Sequence, residues 1–166
     1  MKKFFLWISV GIIVVLGITG CGFLKGLTED PFVGNWIGIV KAPGMGKSLL
    51  RVKIEPAENE RYRVHAIAEN YQRKKEKGNE PHTQKVFVWQ VGAEMRFIGQ
   101  LESDTLHLNP MMQLSLRLSK ATGSLRFPDG TEIHKDTGKE YPVLKEELRK
   151  MMETEHPGAK LEDKKN

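Results

Sequence analysis

Residues 49–69 read Leu-Leu-Arg-Val-Lys-Ile-Glu-Pro-Ala-Glu-Asn-Glu-Arg-Tyr-Arg-Val-His-Ala-Ile-Ala-Glu, and the pattern within them decides the fold. Leu50, Val52 and Ile54 alternate with charged residues in the first half of this stretch. Tyr62 and Val64 alternate with charged or polar residues in the second half. A period of two with one polar side is typical of antiparallel strands that bury a single face. The stretch therefore predicts two antiparallel strands with one solvated side.

The same alternation recurs in short segments along most of the chain. No spacing typical of parallel βαβ units interrupts it, which favours an antiparallel meander. Closure of such a meander would remove its exposed edges. The predicted fold class is mainly β, a small antiparallel barrel of about eight or nine strands with a C-terminal α-helix. The other segments are 36–40, 86–89, 95–97, 106–108, 114–118, 125–127 and 131–134.

A helix is predicted over residues 141–156, after the sheet. Pro142 suits its first turn, and Leu144, Leu148 and Met152 recur at helical spacing. This apolar face could bind a partner or pack on the chain's own barrel, and the second interpretation is favoured because the face covers only a few turns. Residues 157–166 predict a disordered polar tail.

Charge and composition limit the classes of partner. Without residues 1–20, 146 of the 166 residues remain, which suits one domain, and the loss of Lys2 and Lys3 lowers the formal charge from +5 to +3. Basic residues are interleaved with acidic ones and no aromatic platform accompanies them, so nucleic-acid binding is not predicted. The exception is the basic run 73–77, which predicts a solvated hairpin loop or, alternatively, contact with anionic headgroups.

The side chains that carry catalysis do not form a recognisable motif. The histidines lack metal-ligand spacing, and no G-x-S-x-G motif occurs. Acidic residues stand mostly beside Lys or Arg, as on a solvated face rather than in a catalytic pair. The sequence therefore predicts a protein that is not an enzyme and has no metal or cofactor. The histidines are His65, His82, His107, His134 and His156.

The N-terminal segment has the order of an export signal. Met1-Lys2-Lys3 precedes an apolar stretch, Phe4 to Leu16, and the chain's single cysteine follows in Ile18-Thr19-Gly20-Cys21. This tetrapeptide resembles the lipobox of bacterial lipoprotein precursors. The resemblance implies that the Cys21 thiol becomes a diacylglyceryl thioether, which with its acyl (palmitate-type) chains attaches the protein to the membrane. It also implies that a peptidase cuts between Gly20 and Cys21.

The alternative for this segment is an uncleaved anchor. The chain has 21 consecutive uncharged residues from Phe4 to Leu24, enough to span a bilayer. Small residues gather beside Cys21, where a cleavage site belongs, and they favour processing. The predicted organisation is a signal peptide at 1–20, lipidated Cys21 with a tether at 21–31, and a barrel domain at 32–140. The domain is predicted to face outside the cytoplasm, on the cell membrane or an outer membrane.

Gly34-Asn35-Trp36 opens the first predicted strand. A G-x-W at this place, followed by antiparallel strands and a late helix, resembles the lipocalin-like barrels. The resemblance implies that Trp36 plugs the closed end of the barrel under an arginine from a late strand, with Arg126 as the candidate.

These resemblances predict a lipid-anchored, non-enzymatic envelope lipoprotein whose barrel binds a small apolar ligand. The lining of such a cavity is predicted to include Val64, Val88, Phe97 and Leu116. The competing prediction is a protein-interaction or inhibitor module that docks on another envelope protein. A third is a signal-anchored protein of unknown activity. A carrier requires an apolar site inside the barrel, whereas an interaction module can be filled.

The lipobox resemblance yields a direct test on Cys21. Mature protein should begin at Cys21 and carry acyl chains there, and Cys21→Ser should leave the full-length precursor uncleaved because the thiol is the acceptor. Mass spectrometry of the membrane fraction measures both. An unmodified Cys21 within an intact leader in the wild-type protein would contradict lipidation.

Overall fold

The computed structural model describes residues 30–42, 46–74, 85–109, 111 and 114–163. The predicted signal peptide, Cys21 and the tether up to residue 29 lie outside these residues. Most of the basic run 73–77 also lies outside them. In the part of the chain that is described, no helix is both long and apolar enough to cross a membrane.

Ten strands and one helix form within the described residues. They are β1 Gly34–Ala42, β2 Gly46–Pro56, β3 Arg61–Arg73, β4 Val86–Val91, β5 Met95–Glu102, β6 Thr105–Asn109, β7 Leu114–Ser119, β8 Ser124–Arg126, β9 Glu132–Lys135, α1 Glu140–Glu155 and β10 Lys160–Glu162. The helix agrees with its predicted range within one residue at each end.

Eight of the strands close into an antiparallel barrel, which confirms the predicted fold class. β1, β2, β3 and β5 to β9 pair in sequence order. The barrel closes where Trp36 of β1 lies opposite Lys135 of β9. β4 is the exception in this meander, because it pairs with β3 and β10 outside the barrel.

β3 is long enough to pair with two successive strands on one side. Its first half pairs with β5, ending at Ala66 opposite Met95, and its second half pairs with β4 from Glu69 opposite Val91. Between these two pairs, the segment that joins β4 to β5 has three residues where β3 has two, and the extra residue makes a bulge. At this bulge the Gly92 N–H donates to the Ala68 carbonyl at 2.9 Å. A Cβ on Gly92 would lie 2.7 Å from that oxygen, so the bulge requires glycine.

The barrel interior holds the larger apolar core. Trp36, Leu106 and Leu116 in its lower half are almost fully buried, and the packing there is tight, since a Cβ on Gly99 would lie 2.7 Å from Leu106 Cδ1. Dense packing of this kind excludes ligand from the lower half. The buried members of the whole barrel core are Phe32, Trp36, Leu50, Val52, Ile54, Tyr62, Val64, Ala66, Leu106, Leu108, Leu116, Leu125 and Ile133.

A second apolar core lies between α1 and the outer face of the sheet. Leu148 and Met152 of the helix pack against a platform formed by Ile37, Leu49, Tyr71, Phe87 and Trp89. The helix therefore packs on the chain's own barrel, as predicted, along the outer wall. It also covers one face of β4, which explains why the segment 86–89 is apolar on both faces.

The predicted disordered tail over 157–166 is wrong for residues 160–162. β10 pairs in parallel with β4, with Leu161 opposite Phe87. Leu161 and Ala159 also pack against the outer core. The prediction failed because a short polar segment gains order from a sheet edge that composition does not reveal. Residues 164–166 lie outside the described part.

Trp36 closes one end of the barrel, but Arg126 does not cover it. The indole N–H of Trp36 donates to the Phe32 carbonyl at 2.9 Å, and Lys135 Nζ lies 4.4 Å from the ring centroid. Lys135 also donates to the Val33 carbonyl. Arg126 points outward instead, and its Nε donates to Glu132 Oε1 at 2.9 Å. The prediction failed because Arg126 follows Leu125, which takes the inward face of β8.

Replacement of Trp36 tests its role as the plug. Trp36→Ala should lower the free energy of unfolding by about 3–5 kcal/mol, because it removes the largest buried side chain at this end and leaves a cavity. Urea denaturation of the domain measures this. Trp36→Phe keeps an aromatic ring and should cost less, and equal stability of the alanine variant and wild type would contradict the plug.

Candidate functional site

The end of the barrel opposite Trp36 exposes part of its interior. The inward apolar side chains here are only partly buried, whereas Trp36 and Phe32 at the other end are almost fully buried. Met95, which lies opposite Ala66 on the inward side, is 41% exposed. The partly buried side chains at this end are Val40, Ala68, Phe97, Leu114 and Phe127. We call this set the open end; the connections 43–45 and 110–113 beside it lie largely outside the described residues.

The predicted cavity residues are divided between two places. Phe97 belongs to the open end, whereas Val64 and Leu116 are buried in the closed half. Val88 was predicted wrongly, because it lies on β4 opposite Gln72, outside the barrel. The sequence could not tell which of these residues line the open end. Alternation along a strand reveals its two faces, but it does not reveal which strands form the barrel.

A polar groove of about 470 Å³ lies on the outer wall, over β1, β2 and β3. Its centre is a cross-strand row in which Lys53 of β2 lies between Asn35 of β1 and His65 of β3. Asp136, whose backbone N–H donates to the Asn35 carbonyl at 2.8 Å, forms one side, and Glu94 of the bulge forms the other. Arg51, one outward position along β2 from Lys53, lines the groove towards α1.

A buried carboxylate, Glu69, holds Arg51 in place. Glu69 has 1% of its area exposed, and its Oε1 accepts a hydrogen bond from Arg51 Nε at 2.8 Å and lies 2.7 Å from Arg51 Nη2 in the same ion pair. Its Oε2 accepts from the Trp89 indole at 3.2 Å and from the Tyr141 hydroxyl at 2.8 Å. The guanidinium also lies 5.3 Å from the Tyr141 ring centroid. The carboxylate is thus fully paired, as burial of its charge requires.

Burial affects the phenols around this network. Burial, reinforced by the bond to Glu69, raises the pKa of Tyr141 to about 12. Burial and the nearby Asp163 carboxylate raise the pKa of Tyr71 to about 12 as well. Both hydroxyls therefore stay protonated and act as donors across the neutral range.

The bulge side of the groove is organised by Glu94. Its Oε2 accepts from Arg96 Nη2 at 2.8 Å, and its Oε1 lies 2.6 Å from His65 Nδ1. The Arg96 guanidinium first, and then His65, lower the pKa of Glu94 to about 2. Glu94 is therefore a carboxylate at any ordinary pH.

The remaining histidines do not join His65 at the groove. His107 and His134 are exposed on other strands, and His156 stacks on Phe87 with ring centroids 4.6 Å apart. His82 lies outside the described residues. Within the described ranges, no group of three or more His, Cys, Asp or Glu side chains is arranged to hold a metal ion.

Sequence reasoning missed Glu69, the centre of the outer-wall network. One signal of a buried carboxylate was present. Glu69 and Tyr71 share the outer face of β3, so the charged residue lies next to an aromatic one on the same face. Its partner Tyr141 is 72 residues away, which no local pattern can identify.

Comparison with known proteins gives no relative. No protein-family model, curated protein or solved structure matches this chain.

The buried network predicts an asymmetry between its two charged members. Arg51→Met should lower the free energy of unfolding by about 3–5 kcal/mol, because it leaves the buried Glu69 carboxylate without its counter-charge. Glu69→Gln should cost less, about 1–3 kcal/mol, since the half-exposed Arg51 can be hydrated. Urea denaturation measures both. The double variant Arg51→Met/Glu69→Leu should recover only part of the loss, because it removes the buried charge but also the acceptor of Trp89 and Tyr141. Equal costs for the two single variants would contradict the asymmetry.

The raised pKa values of Tyr71 and Tyr141 predict instability in alkali. Both phenols titrate near 12 when folded, against 10.0 ordinarily, so the stability they provide is complete below pH 10 and is lost as the pH rises through 12. Unfolding free energies measured from about pH 9 to 12 should fall along this range. The Tyr71→Phe/Tyr141→Phe variant should have a flatter profile, and an unchanged slope would contradict the assignment.

Proposed function

We propose that this protein is a lipid-anchored envelope lipoprotein that binds a small apolar ligand at the open end of its barrel, without catalysing a reaction. The observation that carries the proposal is the difference between the two ends of one interior. Trp36 and Phe32 fill one end and are 1% and 2% exposed, whereas Phe97, Leu114 and Phe127 face inward at the other end and remain partly exposed.

Exposed inward aromatic and aliphatic side chains are suited to an apolar ligand. A closed antiparallel barrel of eight strands has an interior wide enough for side chains or for one small ligand. In this barrel the lower half is occupied by side chains, so only the open end remains for the ligand. Burial of apolar surface there contributes about 25 cal/mol for each Å² removed from water.

Membrane attachment is proposed from the leader. Ile18-Thr19-Gly20-Cys21 after an apolar stretch supports a diacylglyceryl group on Cys21, with the domain outside the cytoplasm on the cell or outer membrane. The uncleaved signal anchor is the alternative for the same segment. Either attachment keeps the barrel at a membrane, where apolar ligands concentrate.

A protein-interaction or inhibitor module is the second candidate. It is favoured by apolar side chains on the outer face, since Ile98 of β5 is 58% exposed and Val91 of β4 is 60% exposed. The two side chains lie opposite Arg63 and Glu69 of β3, respectively, so they mark two separate points on the outer face at which a partner could make apolar contacts. This candidate requires the outer face, whereas the ligand carrier requires the open end.

Adjacent residues of β5 separate the two candidates. Phe97 points into the barrel and Ile98 points outward. The chain from Asp30 onward should bind a lipophilic fluorescent probe saturably, and Phe97→Asp should weaken binding by about tenfold or more, because it places a charge among the apolar contacts. Ile98→Asp is the matched control and should leave probe binding unchanged. Fluorescence titration measures the dissociation constants.

A second variant guards against a folding defect in Phe97→Asp. Ala68→Trp enlarges an inward side chain at the open end and should also weaken probe binding, by occupying space. Circular dichroism verifies that each variant is folded. Wild-type protein that does not bind the probe, or binding that only Ile98→Asp abolishes, would contradict the carrier and favour the interaction module.

A further inference from the structure

The outer-wall groove has the features of a second binding site, separate from the open end. Its guanidinium is fixed in position: Arg51 uses Nε and Nη2 for Glu69 and stacks on Tyr141. Arg51 Nη1 has no hydrogen-bond partner among the described residues. A guanidinium held along one edge presents its remaining donors in a fixed direction, which is the geometry that recognises carboxylate and phosphate groups.

The Arg51–Glu69 pair is better explained by positioning than by stability. Desolvation offsets most of the attraction in a buried ion pair, and apolar replacements are often as stable. Here three donors from β2, β4 and α1 converge on one carboxylate, and the half-exposed Arg51 guanidinium that they fix in position lines the groove. Glu69, Trp89 and Tyr141 are therefore positioning residues for Arg51.

Lys53, on the floor of the groove, is a second cation that a ligand can contact. Lys53 lies one outward position from Arg51, about 7 Å along the strand. It contacts Glu55 at 2.7 Å, but both side chains are largely exposed, so this pair contributes little and can rearrange. An oxyanion placed between Arg51 and Lys53 would contact two cations.

The sides of the groove are acidic, which excludes a simple anion as the best ligand. Asp136 accepts from the Gly138 N–H through Oδ1 and has no cationic partner among the described residues. Glu94, on the other side, remains ionised. Asp136 lies beside Asn35 at the β1 end of the cross-strand row, two strands from Lys53 and three from His65. Two strands span about 10 Å, so an ammonium group about 5–10 Å from the oxyanion would reach Asp136.

We propose that the groove binds a small zwitterion, with its carboxylate or phosphate on Arg51 and Lys53 and its amine on Asp136. The charges of the groove match this class because Arg51 and Lys53 line its floor and Asp136, a carboxylate without a cationic partner among the described residues, lines its side. Two sources share this chemistry, an aminated phosphate such as a lipid headgroup and the termini of a short peptide. The proposal does not depend on the apolar ligand.

The experiment uses the full chain in nanodiscs of phosphatidylglycerol, a lipid without an amine. Isothermal titration calorimetry with phosphoethanolamine and with glycylglycine distinguishes the two sources, and inorganic phosphate is the anion without an amine. At least one zwitterion should bind saturably and more tightly than inorganic phosphate. The tighter of the two zwitterions identifies the source.

Exposed residues of the groove supply the variants, because Arg51 variants are expected to be unstable. Lys53→Gln and Asp136→Asn should each weaken zwitterion binding by about tenfold or more, the worth of one charge-assisted hydrogen bond. Asp136→Asn keeps an oxygen acceptor for Gly138. Lys120→Gln makes the same charge change as Lys53→Gln, in an exposed turn that does not line the groove, and should leave binding unchanged.

A positioning variant tests the role of the buried network. Tyr141→Phe keeps the ring beneath Arg51 but removes one hydrogen bond to Glu69, and it should weaken zwitterion binding while probe binding at the open end is unaffected. The proposal is overturned if neither zwitterion binds, if inorganic phosphate binds as tightly as the zwitterions, or if Lys120→Gln weakens binding as much as Lys53→Gln.

Discussion

The structure depends on the division of β3 between two partners. Its first half holds β5 and completes the barrel, while its second half holds β4 and carries the sheet beyond the barrel. One extra residue at Gly92-Ala93-Glu94 makes this division, and the contact of Gly92 with the Ala68 carbonyl leaves no room for a side chain there. Without the bulge, β4 and β5 would pair with β3 as one uninterrupted strand, and α1 would lose the part of its platform that Phe87 and Trp89 supply.

This division also creates the two candidate sites. On the inner side, Met95 and Phe97 begin β5 at the open end, where Met95 is 41% exposed and Phe97 is partly buried. On the outer side, the platform buries Glu69 under α1, and the buried carboxylate directs Arg51 towards the groove. The bulge itself supplies Glu94 to the groove. The two sites therefore share strands but face opposite sides of the same wall.

Burial of the Glu69 carboxylate costs desolvation free energy, so its presence points to a role beyond stability. A fully desolvated carboxylate needs every oxygen paired, and the chain provides this with donors from three separate elements. An apolar side chain would fill the same space without that requirement. The same reasoning does not apply to Glu94 or Glu132, whose surface pairs with arginine contribute little to stability.

The sequence by itself determined the faces of the strands, the antiparallel barrel, the burial of Trp36 and the range of the helix, because alternation and helical spacing are local properties. It could not determine which side chain would cover Trp36: the resemblance implied Arg126, whereas Lys135 lies over the ring. It also could not reveal the order in residues 160–162 or the contact of Tyr141 with Glu69. Those contacts join residues far apart in the chain, and only the closure and extension of the sheet bring them together.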